Sequence, residues 1–127
     1  MDIYLEWFKR ADEDELSINA ILSEKGAPST VCFLSQQMAE KYLKGFLVFF
    51  NKPFAKVHDL LVLETLLLDE AKDIQSIHED LVILNRYYIE TRYPGDYPEF
   101  NFEEAGNAYE AAKRIKEFVM IKIREQE

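Results

Sequence analysis

Eight polar residues fall on stretches that otherwise read as buried helix: Asp14, Gln37, Lys41, His58, Asn85, Arg86, Arg92 and Tyr93. Among them Lys41, His58, Arg86 and Arg92 set cationic side chains near aromatic ones in an otherwise acidic chain. Arginine offers a planar fork of donors to phosphate and lysine a compact charge, while tyrosine and histidine rings stack on bases. Each residue also has a plainer reading. Asp14 breaks the inner stripe of its helix, and a buried carboxylate is costly unless paired, so it sits at the rim or forms an ion pair. His58 beside Asp59 reads as a helix start, and Lys41 as a side chain that lays its stem over apolar surface. Arg92 and Tyr93, directly before Pro94, can finish a helix by bonding its last carbonyls.

Other chemistries lack their residues. The glycines at 26, 45, 95 and 106 are too scattered for a phosphate loop. The two histidines, His58 and His78, fall on different helices, so no His pair offers a metal one helix face. The Glu-x-x-His pairs of di-iron bundles are missing; the nearest match, Gln75-Ser76-Ile77-His78, has no carboxylate. Cys32 is the sole cysteine, in an apolar stretch that leaves a thiol inert. The acidic run Asp12–Glu15 reads as a solvated face. No metal, no cofactor and no catalytic constellation is expected.

Helices must position these groups. The segment Val31–Phe50, VCFLSQQMAEKYLKGFLVFF, is apolar nearly all round, as befits a helix touched on several sides. Pro28, Ser29 and Thr30 start it, with Ser or Thr as cap, and it ends near Asn51-Lys52-Pro53. Within it Glu40–Lys44 and Gln37–Lys41 have the spacing of helix-surface pairs. A first helix over about 2–24 closes at Lys25-Gly26, with glycine free for a left-handed cap. The short loop after the central helix predicts an antiparallel return. A short third helix starts at His58-Asp59, with Asp59 as cap. A fourth runs from Ile74, capped by Asp73, to about Arg92. Asn101 and Glu104 make a capping box for a fifth. No strand-like alternation occurs. The expected fold is all-α, an antiparallel up-and-down bundle of four long helices plus one short helix.

The 127 residues suit one domain, 1–127. With 48% hydrophobic and 31% charged residues, the composition is that of an ordinary globular chain. A net charge of −9 opposes indiscriminate nucleic-acid binding but leaves room for a local basic pocket. The oiliest window is broken by Gln, Glu and Lys, so no membrane span is expected. The opening MDIYLEWFKRADEDE has no secretory pattern. With a single cysteine, this makes a cytoplasmic location the expectation.

Three blocks carry a resemblance: Gln36-Gln37-Met38-Ala39-Glu40-Lys41-Tyr42-Leu43-Lys44, then Lys56-Val57-His58-Asp59-Leu60, then Tyr87-Tyr88-Ile89-Glu90-Thr91-Arg92-Tyr93-Pro94. With Trp7-Phe8-Lys9-Arg10-Ala11 before them, they resemble the HEPN family, the higher eukaryote and prokaryote nucleotide-binding domains, along almost the whole chain. The resemblance implies a helical bundle, a symmetric homodimer, and in many prokaryotic members a separate minimal nucleotidyltransferase as partner in toxin–antitoxin-like systems. It also implies nucleotide or RNA as ligand, here at Lys41, His58, Arg86, Arg92 and Tyr93. The family's ribonuclease branch uses an arginine and a histidine with four to six residues between them. This chain departs from that pattern: Thr91, Arg92 and Tyr93 stand at those places after Arg86, and Tyr97, Pro98 and Glu99 after Arg92. Tyr93 substitutes as a proton donor only if its pKa falls far from ~10.

Non-catalytic nucleotide or RNA binding is therefore the leading expectation. The alternatives are a diverged ribonuclease in which His58 or Tyr93 replaces the missing histidine, and a structural interaction module in which Asp14 pairs with Arg86 or Arg92. Under the leading reading, Arg92→Ala lowers nucleotide affinity in calorimetry and leaves the bundle folded; unchanged affinity would remove Arg92 from the site.

Overall fold

The computed structural model describes residues 2–54, 56–88 and 99–127. These form five α-helices: α1 Ile3–Ser23, α2 Pro28–Phe49, α3 Leu60–Leu67, α4 His78–Asn85 and α5 Phe102–Glu125. A 3-10 segment, Lys72–Ile77, leads into α4. No strand occurs among the described residues. No described helix is long and apolar enough to cross a membrane. The fourth helix is shorter than the expected span from Ile74 to about Arg92: a 3-10 segment precedes it, it ends at Asn85, and Arg86 and Tyr87 form a turn; Arg92 and Tyr93 lie outside the described residues.

The apolar circumference of α2 has the consequence its sequence implies: α1, α3, α4 and α5 all pack on it. Met38, Tyr42, Leu43, Phe46 and Leu47 are fully or almost fully buried on its different sides. α1 lies antiparallel to α2, with Tyr4 against Phe49, Phe8 against Tyr42 and Asp14 against Lys41. The closest approach is at Gly45. A Cβ there would lie 2.6 Å from Cε1 of Phe8 and 3.0 Å from Cβ of Trp7, so any larger residue must push the Phe8 ring aside.

The link after α2 differs from the antiparallel return expected of a short loop. Gln36 and Glu40 both bond His58, and Lys52 Nζ bonds the Leu66 carbonyl. α3 therefore runs beside α2 in the same direction. The reason is reach: about seven extended residues span ~23 Å, as far as about fifteen helical ones. The chain thus climbs back along α2 before α3 begins.

Caps are partly as expected. Asp59 accepts from Leu61 N at 2.9 Å and Asn101 from Glu104 N at 2.8 Å. The Glu104 carboxylate, however, takes the Tyr87 hydroxyl at 3.2 Å. α2 starts at Pro28, so its N-cap is Ala27, which offers no side-chain cap; Ser29 lies inside the first turn, and its Oγ accepts from Phe100 N at 3.0 Å. Asp73 sits inside the 3-10 segment and pairs with Lys122 of α5. After α1 the left-handed residue is Lys25, φ 56°, in place of Gly26.

Polar contacts fix how α1 and α5 flank α2. Lys116 reaches Glu15 at 2.7 Å and Asp12 at 3.3 Å. Tyr109 donates to Glu15 at 2.8 Å, and Tyr42 donates to Asp12. Burial raises Glu15, but the bonds from Lys116 and Tyr109 outweigh it and hold the carboxyl below its ordinary value of 4.5. Asp14 is the opposite case. Burial raises it above 3.8, and the Lys41 bond at 2.6 Å offsets this only in part.

This packing has consequences for stability. Gly45→Ala forces Phe8 out of its stack with Tyr42 and costs about 1–3 kcal/mol, as overpacked cores do; urea denaturation reads this directly. In acid the two carboxylates behave oppositely. Glu15, lowered by folding, stabilises above its unfolded value, and this is lost as pH falls through its lower folded value. Asp14, raised by folding, carries a penalty at neutral pH that fades as pH falls from its folded value to 3.8. Glu15→Gln is therefore less stable than the parent at pH 7, with the gap closing in acid. Asp14→Asn is at least as stable as the parent at pH 7 and loses that standing in acid. Thermal melts from pH 7 to 3 check both signs.

Candidate functional site

The most unusual group on α2 is Glu40, a carboxylate 4% exposed in the middle of the core helix. A buried charge must be matched by donors, and Glu40 has three sources. Lys44 Nζ lies 2.9 Å from one oxygen, Gln36 Nε2 3.2 Å from the other, and His58 Nδ1 3.2 Å from both. Gln36 also donates to the His58 carbonyl at 3.3 Å and accepts from Gln37 at 2.7 Å. Lys44 is itself 6% exposed, its ammonium 5.8 Å from the rings of both Trp7 and Phe54. This places a cation on two aromatic faces.

His58 is the outlet of this buried group. With Nδ1 at Glu40, the imidazole stacks on Tyr88 with ring centroids 4.5 Å apart and planes 12° apart, while its side chain stays 45% exposed. Among the described residues, the ring's hydrogen bonds run through Nδ1, to Glu40. The carboxylate fixes the ring as an outer-shell acid fixes a working histidine. Asn85 supports the same corner. It accepts from Leu60 N and donates to Asp59, both at 2.9 Å, tying the start of α3 to the end of α4.

The sequence-derived residues separate into three groups. Lys41 and His58 both lie against α2 but through different partners: Lys41 bonds Asp14 of α1, and His58 bonds Glu40 of α2. Glu40 is near enough to Asp14 to raise its pKa. Lys41 is bound to Asp14 rather than to Gln37, so a phosphate at Lys41 must compete with a carboxylate. Arg86 is exposed in the turn after α4, two residues before Tyr88. Arg92 and Tyr93 lie outside the described residues, and the partner seen for Asp14 is Lys41.

Glu40, which by its spacing reads as a surface partner of Lys44, and Tyr88 are not among the site residues that the sequence points to. The signal that could have found Glu40 is the spacing Gln36–Glu40–Lys44, a polar line within an apolar helix. A second imidazole–carboxylate pair, His78 Nδ1 with Glu64 at 2.9 and 3.0 Å, joins α4 to α3. The described residues hold no group of three His, Cys, Asp or Glu suited to a metal. Burial, with Glu104 nearby, raises the Cys32 thiol to about 11, so it is protonated and inert at neutral pH.

The geometry has counterparts. The chain is similar to TT1696 from Thermus thermophilus, with TM-score 0.84 and 28% identity over 96% of this chain and 99% of that one. It is also similar to ST0689, an archaeal HEPN homologue, with TM-score 0.75 and 28% identity over 94% and 97%. No curated protein matches it. The model of the HEPN domain matches residues 4–124, from the first turn of α1 to the last turn of α5. The chain belongs to the HEPN domain family.

Proposed function

We propose that this HEPN protein binds a nucleotide or RNA without cleaving it, as a homodimer, and is the partner of a minimal nucleotidyltransferase in a system of the toxin–antitoxin type. The observation that carries the ligand reading is the His58–Tyr88 stack. An imidazole whose orientation is set by buried Glu40 is a rigid edge for a base, and rigid rings bind at low entropic cost. Arg86, exposed nearby in sequence, and Arg92 supply guanidinium groups for phosphate; the absence of the Arg-x4-6-His spacing supports binding without cleavage.

Titration of the purified protein with ATP and with a short single-stranded RNA in a calorimeter tests this. Loss of one stacked ring is worth about 1–3 kcal/mol, so His58→Ala weakens binding by roughly 5- to 150-fold while the helical circular-dichroism signal is kept. A parent that binds neither probe would overturn the proposal. Co-purification of a nucleotidyltransferase from native lysate tests the partner.

The His58–Glu40 contact also favours the second reading, a diverged ribonuclease, because a histidine fixed by a carboxylate is the arrangement of a general base. Structured RNA incubated with the parent and with a His58→Ala, Arg92→Ala double variant separates the two. Cleavage lost in the variant supports the enzyme; intact RNA with the parent removes it.

A further inference from the structure

The buried end of the His58 corner is a lysine. Lys44 is 6% exposed and Glu40 4%, and the ammonium lies 2.9 Å from the carboxylate, nearer than the imidazole at 3.2 Å. Trp7 of α1 and Phe54 flank it, each ring centroid 5.8 Å from Nζ. A surface lysine leaves its carboxylate at little cost. One packed against two rings does not, because its charge would then be buried alone.

Charge decides what this does to His58. Glu40 accepts from Lys44, Gln36 and His58, and a carboxylate that only accepts is ionised. The ammonium matches its negative charge, so the buried pair is neutral as a whole. From the imidazole the pair needs one hydrogen-bond donor and no further charge, which a neutral ring with its proton on Nδ1 supplies. A doubly protonated ring would leave a net positive charge on three groups, two of them buried. Asp59, the acid next to His58 in the chain, already accepts from the Leu61 amide and from Asn85, both at 2.9 Å. Without Lys44 the balance reverses, and the unmatched carboxylate draws a second proton onto the ring.

We infer that Lys44 is a positioning residue: by answering Glu40 from the buried side it holds His58 as a neutral ring protonated on Nδ1, which favours a base over a phosphate at that place. This deepens the nucleotide reading above and rests on it for the ligand, but not for the state of the ring. Lys44 acts through Glu40 and touches no ligand itself.

Side-chain nitrogen NMR of the two histidines at pH 7 tests the ring directly, with His58→Ala to assign the signals. The parent is expected to show His58 neutral with its proton on Nδ1, and Lys44→Met to show it doubly protonated. Lys44→Arg, which keeps the charge, is expected to keep the parental state. A parental ring that is doubly protonated or protonated on Nε2 would overturn the inference. So would a folded Lys44→Met protein whose His58 signals match the parent's. Calorimetry with adenosine and with ATP tests the consequence and needs no change at Lys44. His58→Ala is expected to weaken both by the same factor, roughly 5- to 150-fold, because a neutral ring meets the base they share. A loss confined to ATP would make His58 a phosphate contact and overturn the inference even where Lys44→Met fails to fold. A parent that binds neither probe would overturn the nucleotide reading and the base assignment with it, and the spectra then judge Lys44 alone.

Discussion

A carboxylate in the middle of an apolar helix constrains everything around it. Glu40 cannot be hydrated, so three side chains must turn inward to it, and one of them, His58, belongs to a segment that would otherwise be free to go elsewhere. Meeting that requirement brings the chain back along α2 before α3 starts. It also sets the direction of α3 and places an imidazole at the surface. Replacing such a charge group with apolar side chains often leaves stability equal or better. The group is therefore poor evidence for stability and better evidence for placement, which is what a binding surface needs.

The rest of the bundle has a simpler logic. α2 is buried by α1, α3, α4 and α5, and the polar contacts between those outer helices sit at the edges of the core. Arg114 makes a two-pronged contact with Asp80, at 2.9 to 3.2 Å, that fastens α5 to α4. Lys116 does the same for α5 and α1. α5 thus gives Arg114, Lys116 and Lys122 to acids on neighbouring elements.

What can be read from the sequence is whatever depends on local pattern. The helical class, the burial of Val31–Phe50, the caps at Asp59 and Asn101 and the family all follow from spacing and short blocks. What cannot be read is where the ends of side chains go. Glu40–Lys44 has the spacing of a surface pair, and only the position of α1 and α3 makes it buried. Asp14 is visible as misplaced, yet nothing in one sequence distinguishes Lys41 from an arginine as its partner. Ser29 has a capping residue's identity but serves the chain before α5, a contact 71 positions away. The direction of α3 departs from the short-loop expectation because loop length fixes how far the chain can reach and not where it stops.

Asn85 joins two helix ends with one amide, accepting from Leu60 and donating to Asp59. Neither α3 nor α4, at eight residues each, is long enough to persist alone in water. The shared side chain makes the fraying of one the fraying of the other. The His58 corner is therefore built on two short helices whose ends are tied to each other, so whatever loosens one loosens the other.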